Sequence, residues 1–313
     1  MILFIKKAYW LIRSKYYYYR QKFFYPIIDR IHNRKLEVSI ADLLLQRDEI
    51  SQIQFLVASR LLDIEEYNSK NSVENFRCQR AISIHDSGLK YMSDDTYNNK
   101  FESLIASYSN KGYDKQSLLY VDNRFTLENG THRIAMHIHH NIPFVNVEYH
   151  YHSCSHQDGL FPYYQNKYNS LSTTFINEVI EKYKQIQQWL VDEGMTFSCL
   201  VYYNIGSEID VFIKDLSALT IVLKVSRIPV DSYYFKNQDS SSISELAVGR
   251  DGAYYIQFRL ANPQYKVTKD GYYSQTVKKI ASVLSERYSD RKSLNFVFAF
   301  NCGEGYKLYK SLL

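Results

Sequence analysis

The run Glu128-Asn129-Gly130-Thr131-His132-Arg133 constrains this chain most, because one hydrophobic period gives way to another there. Before it, Leu118, Leu119, Val121, Phe125 and Leu127 alternate in the manner of short strands. After it, Ile134, His137 and Ile138 recur at helical spacing, and Ile142-Pro143 leads into a further strand. The whole stretch 101–151 therefore reads as helix, turn, two short strands, polar turn, helix and strand. A strand that ends in Asn-Gly and opens a helix with Thr-His-Arg builds a trap for an anion. Glycine permits close backbone approach, and the first-turn amides of a helix lack intrahelical acceptors. The helix dipole is positive at that end, and an arginine fork is added. Asn129, Gly130, Thr131, His132 and Arg133 are thus the candidate phosphate-binding residues.

Two carboxylates and an imidazole stand beside that turn. A carboxylate at Glu128 or Asp122 can activate a hydroxyl, hold a divalent cation together with a substrate phosphate, or simply cap the helix. His132 can donate to phosphate oxygens or act as an acid. Glu128, His132 and Asp122 are the candidate catalytic set.

Strand-turn-Gly130-Thr131-His132-Arg133-helix, followed by Ile142-Pro143 and a strand, resembles the core of the ParB/sulfiredoxin-like superfamily. Variants of that core with a G-x-H-R turn occur in proteins encoded among bacterial surface-polysaccharide genes. The resemblance covers about 101–151, extending back towards Ser83. Sulfiredoxins carry a cysteine where Thr131 stands, so their sulfinic-acid chemistry is not implied. ParB proteins tend to have Gly-Glu-Arg-Arg at this turn and a helix-turn-helix region after it, and no such region follows here. What the resemblance implies is phosphate or nucleotide binding by residues 130–133, in an enzyme of capsule or lipopolysaccharide biosynthesis.

Upstream, residues 1–35 hold nine Lys or Arg against one acid, Asp29, with Trp10, Tyr16 to Tyr19, Phe23 and Phe24 between them. A basic helix with an aromatic face suits the headgroup region of an anionic leaflet; equally, it suits a helix packed on the protein body with its lysines in water. No run approaches the roughly 20 apolar residues that span a bilayer, and Lys6 and Lys7 interrupt the apolar start in a way unlike a signal peptide. The net charge of +5 is too modest for a general nucleic-acid footprint. Cys78, Cys154, Cys199 and Cys302 are far apart and form no C-x-x-C pair, which fits free thiols in a reducing cytoplasm.

The rest of the chain divides into a basic arm at 1–38, the core at 39–160, a connecting helix within 161–196 and a C-terminal α/β domain at 197–313. Ser39 and Asp42 are candidate caps for a helix over 39–67, and helices are expected near 96–110, 174–193 and 274–288. Strands are expected at 197–203, 209–213, 219–225, 254–260 and 295–300, and the polar stretch 237–244 reads as a loop and a candidate lid. The fold class is α/β or α+β.

Three further features invite a site. Seven of the nine histidines lie between His132 and His156, and His150 and His152 would share one face of a strand. No zinc-protease or finger spacing occurs, and His137, His139 and His140 spread around a helix, so solvated or hydrogen-bonded histidines are favoured over a metal site. His85-Asp86-Ser87-Gly88 is a turn that could face Arg133 or lie on the surface. Asn301-Cys302-Gly303-Glu304-Gly305 has the outline of half a dinucleotide-binding turn but lacks its third glycine.

Together these features make the chain a candidate transferase acting on a sugar nucleotide or sugar phosphate, with a glycan or lipid-linked acceptor. It would be cytoplasmic and peripheral on the inner membrane if the arm binds there. A divalent cation could accompany the donor phosphate. Two other classes stay open: a nucleotide- or DNA-binding regulator, and a membrane-associated scaffold without catalysis.

Overall fold

A computed structural model describes residues 34–44, 50–70, 76–78, 81–82, 94–112, 114, 118–122, 125–127, 129–150, 171–204, 208–228, 252–290 and 294–312. Glu128, the arm as far as residue 33, the turn at 85–88, Cys154, His152, His156 and the loop at 237–244 lie outside these residues. Within them the fold is mixed α+β, with eight helices and nine strands.

Leu36 and Val38 alternate with Lys35 and Glu37, and this period sets Arg34–Ser39 (β1) antiparallel to Phe144–Tyr149 (β3), with Val38 opposite Val145. Residues 34–38, expected as the end of a helical arm, are therefore strand. Their hydrogen-bond partners are about a hundred residues away, beyond the reach of local periodicity. Leu119–Val121 (β2) joins the other side of β3 in parallel, giving the order β1-β3-β2. After β1 comes a single short helix, Ile40–Leu44 (α1), every residue of which is buried.

Three helices build the core beside this sheet: Gln52–Lys70 (α2), Asp94–Lys111 (α3) and Thr131–His139 (α4). α4 packs against α2, α3 and β3, burying Ile134 through Ile138. Thr173–Asp192 (α5) lies along α2 and is capped by Ser172, whose Oγ accepts from the Phe175 amide at 3.2 Å. Phe175 meets Phe55 edge-on, and Lys182 pairs with Glu65 at 2.7 Å. Tyr183 donates to the Leu44 carbonyl at 2.8 Å.

The C-terminal sheet is antiparallel, in the order β5-β6-β4-β9, from Phe197–Tyr203 (β4), Ile221–Ile228 (β5), Gly252–Arg259 (β6) and Leu294–Ala299 (β9). A strand between two others and covered on both faces should be apolar throughout, and β4 is buried from Phe197 to Tyr202. Leu200, Tyr202 and Tyr255 form one face with Leu308, Tyr309 and Leu312 of the terminal helix Cys302–Leu312 (α8). Cys199, Val201 and Phe298 belong to the opposite face, with Phe212 and Leu216 of Ile209–Leu219 (α6) and Val277 and Leu284 of Gln275–Arg287 (α7). Residues 209–213, expected as a strand, are the first turn of α6. Ile209, Val211 and Ile213 do alternate, but the buried pair is Phe212 and Leu216, four apart.

A two-stranded hairpin, Tyr265–Val267 (β7) and Tyr272–Ser274 (β8), ties the sheets together. Phe125, held at φ 59, stacks on Tyr265 with centroids 4.4 Å apart and lies 5.0 Å from the Tyr272 ring. One hydrophobic core runs from Val38 through both sheets to Cys302. No helix among the described residues is long and apolar enough to cross a membrane.

Candidate functional site

The mouth of α4 forms where the sequence places it. Gly130 is the N-cap at φ 92 and ψ 20, a left-handed conformation that a side chain would strain. A Cβ there would also collide with the Leu119 side chain, so glycine is required twice over. The Asn129 Oδ1 accepts from the Tyr120 amide at 3.1 Å and fastens the turn to β2. Arg133 folds back over the turn. Its Nη1 donates to the Leu118 carbonyl at 2.9 Å, and its Nη2 lies 3.5 Å from where a Gly130 Cβ would be. The first turn of α4 contains no acidic residue, and Thr131 Oγ1 has no hydrogen-bond partner among the described residues.

Two of the expected catalytic residues lie in enclosed settings. Asp122 is fully buried and holds the loop after β2: its Oδ1 accepts from the Thr126 amide at 2.8 Å, and its backbone N–H donates to the Thr126 carbonyl at 3.0 Å. The carboxylate thereby fastens the turn that positions Phe125. His132 stacks edge-on to Phe101 at 4.6 Å between centroids. Although part of the ring stays open, protein encloses most of it. Burial, and then the Arg60 guanidinium, push its pKa well below the usual 6.5. Both effects favour the neutral imidazole, which can donate one hydrogen bond.

The other histidines of the cluster go separate ways. His137 is buried under α4, and burial lowers its pKa to about 4 against a smaller opposing effect from backbone groups at Phe144 and Ile142. His139 Nε2 lies 2.9 Å from Asn68 Nδ2, His140 stacks on Tyr108, and His150 stacks on Tyr120. Among the described residues no three His, Cys, Asp or Glu side chains gather to hold a metal ion.

A second polar centre carries no motif and was not expected. Asp42, only 3% exposed, lies between the two sheets and not at a helix cap. Its Oδ1 accepts from the Tyr265 hydroxyl at 2.7 Å and its Oδ2 from the Tyr272 hydroxyl at 2.6 Å. Both oxygens lie 3.2 Å from the Cys302 amide at the start of α8. Burial raises the pKa of Asp42 and these donors pull it back. The only hint in the sequence was one carboxylate inside the apolar run Val38-Ser39-Ile40-Ala41-Asp42-Leu43-Leu44. Ser39, the other expected cap, accepts on its Oγ from the Ala41 amide at 3.3 Å while its own N–H donates to the Tyr272 hydroxyl at 3.2 Å.

The Asn301 to Gly305 turn is a helix start closed by its own side chains. Asn301 Oδ1 accepts from the Glu304 amide at 2.8 Å, and Glu304 Oε2 accepts from the Phe300 amide at 2.7 Å, a capping-box arrangement. Gly303 and Gly305 lie within α8, pressed against the Phe144 ring and the Thr196 carbonyl, so helix packing accounts for both glycines. No protein-family model, curated protein or solved structure matches the chain.

Proposed function

We propose that the protein binds the phosphate of a donor such as a sugar nucleotide or sugar phosphate at the mouth of α4, and that it serves the assembly of a bacterial cell-surface polysaccharide. One observation carries the phosphate. A guanidinium sits beside a helix N-terminus that has no acidic residue in its first turn. A helix N-terminus attracts a bound anion by about 0.3–1 kcal/mol, and a guanidinium beside it adds a charged donor. Gly130 leaves room for close approach, and the Thr131 hydroxyl adds a donor. The polysaccharide context rests on the resemblance of residues 101–151 to proteins of that kind, and so does group transfer as the reaction class. With Asp122 enclosed and His132 neutral, Glu128 is the carboxylate proposed as base, and His132 is proposed as a hydrogen-bond donor to the phosphoryl oxygens.

Thermal shift against nucleotides, sugar nucleotides and phosphoribosyl pyrophosphate, each with its unphosphorylated counterpart, tests the reading. A ligand at 100 times its dissociation constant stabilises the native state by about 2.7 kcal/mol. Stabilisation by a phosphorylated compound and not by its counterpart is expected. Equal response to both members of every pair would refute it.

A further inference from the structure

We propose that Arg60 of α2 is a buried anion receptor, taking a phosphoryl oxyanion of the ligand on the His132 side of the α4 mouth; this rests on the reading of that mouth as the phosphate site. Arg60 is only 5% exposed, in the buried stretch of α2 that includes Val57, Ala58, Leu61 and Ile64. Its Nε and Nη1 are sealed from solvent and have no hydrogen-bond partner among the described residues. No ion pair joins it to a carboxylate there either. Asp63, one turn further along α2, accepts on Oδ1 from the Cys78 amide at 2.9 Å. Glu102, next to Phe101 on α3, accepts from the Tyr67 hydroxyl at 2.8 Å.

A guanidinium keeps its proton at any pH a protein survives, so burial cannot be relieved by neutralisation as it can for lysine. Buried charges in folded proteins are normally paired, and one left unpaired costs stability. Other arginines of this protein show the contrast. Arg77 pairs with Glu66 and Glu178, and Arg287 pairs with Asp215 at 2.9 Å, although both side chains are largely exposed. Arg60, the one buried arginine among the described residues, is the one whose nitrogens are left without acceptors. Selection for stability alone would favour the reverse. A cation held in place without an internal counter-ion is preorganised for an anion that arrives from outside.

Helix packing brings this charge to the start of α4. Asn68 Nδ2 lies 2.9 Å from His139 Nε2, which joins the far ends of α2 and α4. Arg60 stands two turns before Asn68 on the same stripe of α2, and His132 stands two turns before His139 on α4. The two meet again at that end: burial first, and then the Arg60 charge, hold the His132 pKa well below 6.5, which places the guanidinium within electrostatic reach of the ring. Gly130, Thr131, His132 and Arg133 are each half-buried, so the mouth is open to solvent. Arg133 turns towards the Leu118 carbonyl beside β2, whereas Arg60 approaches from α2. The helix start is thus served by two guanidinia from two elements, and a phosphoryl group there has charged donors besides the amides.

The test titrates inorganic pyrophosphate into wild type, Arg60→Met, Arg60→Gln and Arg133→Ala by calorimetry, with sodium chloride at equal ionic strength as the control. Melting temperatures of the free proteins are measured alongside. Arg60→Met replaces the buried charge with an apolar chain of similar length, so its melting temperature should be unchanged or raised. Both Arg60 variants should bind pyrophosphate about tenfold more weakly or worse, and Arg133→Ala should also lose affinity. A binding loss without a stability loss is the signature of a receptor; a merely structural arginine would give the opposite. Wild-type affinity in a folded Arg60 variant, with loss in Arg133→Ala, would overturn the role of Arg60 and leave the α4 reading standing. Loss in the Arg60 variants with Arg133→Ala unaffected would keep Arg60 as the receptor and overturn the assignment of the phosphate to Arg133. Failure of wild type to bind pyrophosphate would overturn both.

Discussion

Two helices of this protein begin beside a charge, and the charges have opposite signs. α8 starts against the Asp42 carboxylate, which accepts from the Cys302 amide, while Asn301 and Glu304 occupy the neighbouring amides. α4 starts from an uncapping glycine under the Arg133 guanidinium, with no acid in its first turn. The first mouth holds its own anion and is sealed by Tyr265 and Tyr272. The second has no side-chain cap and no acid in its first turn, and it is there that the phosphate is proposed to bind. The difference separates a helix start used for assembly from one proposed for recognition, although both contain glycine and both read as phosphate turns on paper.

The sharpest way to break this comparison is to remove the internal anion. Asp42→Ala strands two phenol hydroxyls and a helix-start amide in the core. Each unsatisfied group costs about 1–3 kcal/mol, so a loss of about 3–5 kcal/mol in urea unfolding is expected. Asp42→Asn keeps the shape and one acceptor and should cost less. A change below about 1 kcal/mol for Asp42→Ala would mean that the α8 junction is not sealed by this carboxylate.

Acid should probe the buried side of α4. The folded pKa of His137 is lowered to about 4 from 6.5. Between those values the unfolded chain binds a proton that the native state refuses, so stability falls as pH drops from about 6.5 to about 4. At 1.36 kcal/mol per unit the full loss is about 3 kcal/mol. Unfolding free energies of wild type and His137→Phe across that window should diverge, the variant having the flatter profile. Parallel profiles would remove His137 as the cause.

Arg133 sharpens the other half of the comparison. Charge-assisted contacts of about 1.5–3 kcal/mol predict that Arg133→Ala weakens a phosphorylated ligand roughly ten- to a hundredfold, with Arg133→Lys recovering part of it. Its bond to the Leu118 carbonyl predicts a smaller loss of stability, about 1 kcal/mol, in the same variant. A stability loss with unchanged affinity would make this mouth structural like that of α8. The smallest effect belongs to Tyr272→Phe, which removes one donor from Asp42 and leaves the others; about 1 kcal/mol is expected in the same urea experiment.

What the sequence disclosed follows from the range of the interactions involved. The α3 to β3 stretch was legible because its periods, its glycine and its proline act over a few residues. β1 and the tyrosine strands β7 and β8 were not, being short segments that become strands only by pairing with distant or equally short partners. At the site, glycine, arginine and the helix start were legible from local chemistry. The enclosure of Asp122 and the lowered pKa of His132 were not, because both depend on what packs around them, such as Phe101 and Arg60. Asp42 was misread as a cap since its donors come from the far end of the chain.

That distance has a consequence for biosynthesis. The three donors of Asp42 lie 223, 230 and 260 residues beyond it. The carboxylate leaves the ribosome 223 residues before the first of these donors and must stay hydrated until they follow. Native closure of the seam between the two sheets is therefore a late event, dominated by loop closure over most of the chain. Until then α1 and the Phe125 loop present apolar surface without their final cover, the circumstance in which nascent chains aggregate or engage chaperones. Chains released before α8 is made should fail at this seam, even with every residue of the α4 turn already in place.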